Sequence, residues 1–556
     1  MKKLIFTCLT LLLCTVMARA QKVNLPQLQA TLQKGIKSAY LPSVRMWGYD
    51  TTARQQMSAQ FSGVVITANG YILTAAHVTI PGKTYKVMFA DGKEAIAVAL
   101  GKIELAADRT IPDVALMKIA TPGSWPFAPM AKSSAIKVNE PCLSIAYPES
   151  LNQSKPSVRY GRIRVIKNDR GFIESTCKME PGDSGGPLFD YMGRVIGIHS
   201  AINTDEDTNY EIPVDLYHKY WDALQKQQVY TALPTDTQAL APDDIKNIMT
   251  DDGLASMQST AAALIKKHKL DRMVVSITST ADSANTPALG TIIKVNGKSV
   301  YIVSKSSIVG NDPKITMPGN KVFEAQVFAR DRQTDLVLLR PSANINGGIT
   351  ISKDNQPTVD LGCMLITPFT NKEGLVSITS GLDVTLSRFW SLGYLGAAVG
   401  YNAVPPAFTY VQPNSPAAKS GLLVDDEVLS VNNVAMKKIE DFGTAMQQYW
   451  PGDTINFRIS RNGKQENKTA VLGAKRQTPG KHPAELFKGG KSLRRDGFEN
   501  LITHDAALLP AQCGGPIFNL DGKFIGVNIA RFSRTTSLVL PAQIVYNLIM
   551  QHVKNQ

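Results

Sequence analysis

G-V-V-I-T-A-N-G-Y-I-L-T-A-A-H-V, residues 63–78, decides the fold. Two β-rich runs flank Asn69-Gly70, a dipeptide that favours a two-residue hairpin turn. The pattern predicts two antiparallel strands, the second ending beside His77. More short β-rich runs follow at close spacing without intervening helices, which points to a barrel or sandwich. Helices are expected at 25–39, before the first strand, and in D-L-Y-H-K-Y-W-D-A-L-Q, 215–225, which closes the region.

The stretch recurs. G-T-I-I-K-V-N-G-K-S-V-Y-I-V-S-K-S-S-I at 290–308 aligns with it, with 298–300 as an insertion. P-D-V-A-L-M-K-I at 112–119 matches T-D-L-V-L-L-R-P at 334–341, and P-C-L at 141–143 resembles G-C-M at 362–364. P-G-D-S-G-G-P-L-F at 181–189 matches P-A-Q-C-G-G-P-I-F at 510–518, and I-P-V-D-L before the closing helix matches L-P-A-Q-I at 540–544. Matches kept in one order imply an internal duplication. About 100 residues, 389–490, have no counterpart in the first copy.

Composition narrows the class. The chain has 556 residues, 44% hydrophobic and 19% charged, which excludes a disordered or fibrous protein. Residues 1–20 carry two lysines, an apolar run and a small-x-small end, the pattern of an export signal cut before Gln21. No later run has the length of a membrane span. Beyond the leader stand Cys142, Cys177, Cys363 and Cys513, too few for a disulfide framework. No CxxC or HExxH pattern occurs, so neither a metal nor another cofactor is expected. The net charge of +14 is spread along the chain. Its densest basic stretch, 475–495, has a single aromatic, Phe487, and reads as a solvated linker, so no nucleic-acid partner is expected.

Three segments of the first copy hold the groups of nucleophilic acyl transfer: T-A-A-H-V with His77, P-D-V-A-L with Asp113, and G-D-S-G-G with Ser184. A serine hydroxyl needs a base to take its proton and a carboxylate to hold that base in one tautomer. Gly182 lets the backbone turn so that its N–H and that of Ser184 can cradle an oxyanion. Residues 35–216 resemble the chymotrypsin-fold serine proteases. The short His-to-Asp interval of 36 residues and the ending G-R-V-I-G-I-H-S-A-I resemble the HtrA/Deg branch most. One departure is Asp183, where that branch usually has Asn. The resemblance implies two packed six-stranded barrels with the triad between them, and a substrate pocket lined by residues before the nucleophile and by the strand after it. Lys178 and His199 fall there. His199 matches a histidine that glutamyl endopeptidases of this fold use for a substrate carboxylate, so an acidic preference is one expectation. HtrA-type pockets give the other, Val or Ala.

The second copy is degenerate. Ser307 stands at the His77 position, Asp335 at Asp113 and Cys513 at Ser184, while Ala511 and Gln512 replace Gly182 and Asp183. Serine cannot act as the base, and a free thiol near its ordinary pKa of about 8.5 is little ionised at neutral pH. His504, nine residues before Cys513, is the remaining base to consider. A pseudoprotease is expected, with Asp335 and Cys513 packed and Cys142 and Cys363 as buried thiols.

The unmatched segment carries Y-L-G-A-A-V, then S-P-A-A-K-S-G-L-L-V-D-D-E-V-L-S-V-N, and resembles a PDZ domain of HtrA/Deg proteases over 390–475. The resemblance implies peptide binding by strand addition, with N–H groups around Leu395, Gly396 and Ala397, after Tyr394, receiving a terminal carboxylate.

The whole reads as a mainly β chain: two chymotrypsin-like double β-barrel domains, the second degenerate and interrupted by a PDZ domain. The boundaries are a signal peptide at 1–20, an active protease domain at 21–230, and linker and helix at 231–270. Pseudoprotease follows at 271–388, the PDZ domain and basic linker at 389–490, and pseudoprotease again at 491–556. Function reads as an exported serine endopeptidase, periplasmic or secreted, cutting unfolded or extended chains and binding peptide C-termini. The alternative is a chaperone or adaptor that binds exposed segments and cuts little. The oligomeric state stays open.

Overall fold

The computed structural model describes residues 24–105, 112–240, 249, 254–281, 284–295, 299–353, 357–370, 373–401, 404–477 and 480–553. The expected leader lies outside them. The hairpin forms about Asn69-Gly70: Phe61–Val65 pairs antiparallel with Tyr71–Ala75, with Val64 opposite Leu73. Gly70 supplies the positive φ of 90° that this turn needs.

These strands belong to a closed ring. Glu94–Glu104, Thr84–Phe89, Ser43–Asp50, Phe61–Val65, Tyr71–Ala75 and Asp113–Ile119 pair in that order, and the last pairs back to the first. Glu94–Glu104 alternates exposed and buried residues, and its inward positions are mostly small: Ala95, Ala97, Ala99 and Gly101. A side chain at Gly101 would meet the Lys226 carbonyl at 2.7 Å, so only glycine lets the end of the closing helices pack there. Those are two short helices, Asp215–Lys219 and Trp221–Leu224, where sequence suggested one. A second closed barrel takes Pro141–Ala146, Ser157–Val165, Ile173–Ser175, Asn209–Pro213, Val195–Ile202 and Pro187–Asp190.

The second copy repeats both rings. Val274–Ala281, Lys314–Thr316, Val322–Asp331, Leu336–Pro341, Ser299–Lys305 and Ala284–Val295 close one. Met364–Thr367, Leu375–Leu386, Phe498–His504, Ser537–Pro541, Phe524–Arg531 and Pro516–Asn519 close the other. The PDZ module leaves after Leu375–Leu386 and re-enters before Phe498–His504. In the first copy the same two strands are joined by residues 166–172. A hairpin connection at a barrel edge accepts an insertion because neither strand loses a ladder partner.

Asp496 ties the ends of the insertion together, accepting from the N–H groups of Phe389, Trp390 and Ser391 at 2.8, 2.5 and 3.1 Å. The basic stretch beside it is only in part the solvated linker its composition suggested: Arg476, Lys481 and Lys488 are exposed, but its end is covered. Arg495 is 4% exposed and lies over Trp390, while Arg494 lies over Trp450 and Phe498. The aromatics that cover these two arginines come from the module and the adjoining strand, and cation–π contact lets guanidinium groups be covered.

The copies share a core. Helix Leu25–Ala39, with Pro26 in its first turn, buries Leu25, Leu28, Leu32 and Ile36 in one cluster with Val64, Leu143, Met364 and Ile378. Each such side chain is worth about 1.5–3 kcal/mol when buried. Asp505 adds a polar tie, accepting from Tyr160 N–H of the first copy at 2.9 Å and Ile378 N–H of its own at 2.8 Å.

Candidate active site

His77 sits in a one-turn 3-10 helix, Ala76–Val78, at the end of the hairpin strand, and Asp113 opens the paired strand Asp113–Ile119. The sheet therefore brings them together across 36 residues. His77 Nδ1 is 2.8 Å from Asp113 Oδ2, and the His77 backbone N–H donates to Asp113 Oδ1 at 2.9 Å. Ser200, on Val195–Ile202 of the other barrel, donates its hydroxyl to Asp113 Oδ2 at 2.7 Å. Sequence missed Ser200, though it directly follows His199. Burial pulls the His77 pKa down, but hydrogen bonding to Asp113 and its charge pull harder, and the net shift is upward.

Ser184 lies on the turn between the barrels. Its carbonyl accepts from Ser62 N–H at 2.9 Å, and the Gly182 carbonyl accepts from Ser62 Oγ at 2.8 Å, which seats the turn on the His77 barrel. Gly182 has φ 96°, and a β-carbon there would lie 2.5 Å from the Glu149 nitrogen, so glycine is required twice over. Gly185 N–H donates to the His199 carbonyl at 2.8 Å, and His199 N–H donates to Gly186 at 2.8 Å. His77 and Asp113 are thus joined, and the turn that carries Gly182 and Ser184 is seated on the barrel that holds them.

Asp183 explains its own departure from the related pattern. Both carboxylate oxygens accept from the Arg159 guanidinium, at 2.6 and 2.8 Å, and both side chains are 1% exposed. A carboxylate at this depth requires such a partner, whereas an amide would not. Arg159 was invisible in sequence because a strand arginine usually faces solvent.

Lys178 and His199 do not form the cationic pocket that sequence suggested. Lys178 Nζ stands 3.8 Å from Asp207 Oδ1. His199 is buried, with Nε2 2.7 Å from Ser144 Oγ, and burial with the nearby Arg159 charge pushes its pKa down to about 3. It is neutral and forms part of the barrel interior. The adjacent Glu211 carboxyl is pushed well up by burial and accepts from Ser175 at 2.6 Å.

At the corresponding place in the second copy, Ser307 donates to Asp335 from both its N–H and its hydroxyl, each at 2.8 Å. Lys305, 1% exposed, puts its ammonium 2.6 Å from the same carboxylate and 2.9 Å from the Arg494 carbonyl. Cys513 is fully buried, and desolvation raises its thiol pKa. His504 does not serve it: its nitrogens meet Ser377 Oγ at 3.1 Å and Asn528 Oδ1 at 3.0 Å, and burial holds its pKa at about 3. Residues 510–512 form a 3-10 turn in place of the glycine turn at 182. The four cysteines beyond the leader are free thiols; Cys142 is buried and Cys363 partly so.

In the PDZ module, Tyr394 is bridged to Gly473 by hydrogen bonds of 2.8 and 2.9 Å. Leu395 is in the module core, Gly396 takes φ 76° against Ser415, and Ala397 opens strand Ala397–Val399. The four residues therefore form one turn leading into a short edge strand.

Comparison with known proteins agrees with this architecture. A trypsin-like peptidase domain model matches residues 61–198 and a PDZ domain model matches 393–471. A probable periplasmic serine endoprotease, DegP-like, from Hahella chejuensis is 23% identical over 424 residues, covering 75% of this chain and 81% of that protein. The periplasmic serine endoprotease DegP of Salmonella typhimurium is 25% identical over 396 residues, 70% of this chain and 72% of its own length. The chain carries a trypsin-like peptidase domain and a PDZ domain and is similar to DegP-type serine endoproteases. A DegP-like protein of Halomonas elongata reaches 33% identity, but over 171 residues and 35% of its length. Among the described residues, no helix is long and apolar enough to cross a membrane.

Proposed function

We propose that the first copy is the working centre of an exported endopeptidase that cuts unfolded or extended polypeptides. Ser184 attacks the scissile carbonyl and His77 takes its proton. Asp113, fixed by Ser200, holds the imidazole in the tautomer that presents Nε2 to the serine. The N–H groups of Gly182 and Ser184 receive the oxyanion. His77 then protonates the leaving amine, and water repeats the cycle on the acyl-enzyme. The observation that carries this reading is the Asp113 carboxylate, which meets His77 twice and Ser200 once on the seam where the Ser184 turn is seated. The relatives' periplasmic names support export, with 1–20 as the leader.

The second copy, 271–388 and 491–556, is read as a pseudoprotease scaffold, and the turn at Tyr394 to Ala397 as the receptor for peptide C-termini. Casein hydrolysis tests the division of labour. Ser184→Ala abolishes it and Cys513→Ala leaves it near wild type; loss with the cysteine variant alone would reverse the assignment.

A further inference from the structure

The connection that follows the Ser200 strand, residues 203–208, leads from the active site into Asn209–Pro213. It runs beside the segment that precedes Ser184. Asn209 donates to the Ser175 carbonyl at 3.3 Å and accepts from Met179 N–H at 3.3 Å. A peptide whose carbonyl reaches Ser184 must lay its neighbouring side chain against these two segments. What holds them comes from the other copy. The corresponding connection there, 532–536, between Phe524–Arg531 and Ser537–Pro541, meets 203–208 face to face.

The contacts are buried and directional. Arg534, 0% exposed, donates to the Asn203 carbonyl at 2.7 Å and the Asp205 carbonyl at 2.8 Å. Arg531, also 0% exposed, donates to Glu206 Oε1 at 2.9 Å, and its fork is fixed by the Ala506 carbonyl at 3.1 Å. Ser533 lies close enough to the buried carboxylate of Glu180, which Ser150 also meets, to pull its pKa down against the effect of burial. Arg531 is not needed to close its own barrel: the first copy has Ile202 in its place. A planar fork of N–H donors satisfies two carbonyls of one loop at a fixed spacing, which a lysine cannot do.

We infer that Arg534 and Arg531 are positioning residues for the first copy's active site, holding 203–208 and the Glu180 turn as the walls that receive the substrate side chain beside Ser184. The degenerate copy is then a clamp on the working one, which gives it a use that needs no chemistry of its own. The inference rests on Ser184 being the nucleophile.

The test uses the full chain and two peptides differing only at the residue before the cut, Val or Gly. Arg534→Ala should lower kcat/KM for the Val peptide about tenfold, while the Gly peptide changes less than about threefold. Amide exchange over 203–209 should speed up, and Arg534→Lys should recover part of the loss. Should Arg534→Ala fail to fold, Glu206→Gln removes only the ion pair and should cost the Val peptide about threefold, sparing the Gly peptide. Equal loss on both peptides, tracking the fall in Tm, would assign the arginines to general stability. No change on either would overturn the clamp outright. Wild type that takes no fluorophosphonate and cuts neither peptide would remove the functional reading itself, and the inference with it.

Discussion

The two nucleophile turns are seated by matching backbone hydrogen bonds and differ in the residues just before the nucleophile position and in the side chains around it. Ser62 N–H donates to the Ser184 carbonyl at 2.9 Å, and Leu289 N–H donates to the Cys513 carbonyl at 3.1 Å. Gly185 and Gly514 donate to the next strand at 2.8 and 2.7 Å, and both hold positive φ. The carboxylates also agree: Asp113 and Asp335 each accept the N–H of the residue at the base position, at 2.9 and 2.8 Å. A few side chains and one turn separate them. His77 becomes Ser307, Ala75 becomes Lys305, Ser200 becomes Ile529, and the Gly182 turn becomes a 3-10 turn at Ala511. The fold is therefore carried by the ladder and the glycines, and the chemistry by a few residues that can be lost while the barrels persist.

That contrast can be broken at its carboxylates first. Asp113→Asn should lower kcat about ten-thousandfold by letting the imidazole take the wrong tautomer. Asp335→Asn should leave kcat within about twofold, since its effect is on stability. It strands the Lys305 ammonium, and losing one member of a buried pair costs about 3–5 kcal/mol, read as a lower denaturation midpoint.

Arg159→Ala sharpens the comparison, since Gln512 of the second copy needs no such partner. The uncompensated Asp183 should cost about 3–5 kcal/mol in urea unfolding, and Asp183→Asn in the same chain should return part of it. A loss no greater than about 1 kcal/mol would place the pair among those of little consequence.

The pH profile gives a smaller effect. Hydrolysis needs neutral His77, so kcat/KM should fall about tenfold per pH unit below a midpoint above the ordinary imidazole value of 6.5. Stability runs the other way: the ion pair contributes fully below the unfolded value and is lost as pH rises through the raised folded one. A midpoint below the ordinary value would mean that burial outweighs Asp113.

The smallest expected effect is none. In a Ser184→Ala background, Lys305→Ala, Ser307→His and Cys513→Ser together should restore no turnover, because 510–512 lack the glycine turn. Measurable casein hydrolysis would show that side chains alone separate the copies.

Much of this was legible in sequence because it is local or repeated. The Asn69-Gly70 hairpin, the helix at Leu25–Ala39 and the ordered matches between copies follow from turn chemistry and periodicity. The triad positions were legible because each lies in a short motif. Partners that lie in no motif were not. Arg159 meets Asp183 across a barrel, Lys305 pairs with Asp335, and Arg531 reaches Glu206 over 325 residues. A basic residue on a strand carries no mark that it will be buried; only the packed partner supplies one. His199 misled for the same reason, since its motif marks the strand and its burial decides its charge.

Reaction of the intact chain with a fluorophosphonate, followed by mapping of the adduct, tests the central claim most directly. One phosphonyl group per chain on Ser184, absent in His77→Ala and unaffected by Cys513→Ala, is the predicted result. No adduct on Ser184, with thiol alkylation of Cys513 abolishing hydrolysis, would contradict it.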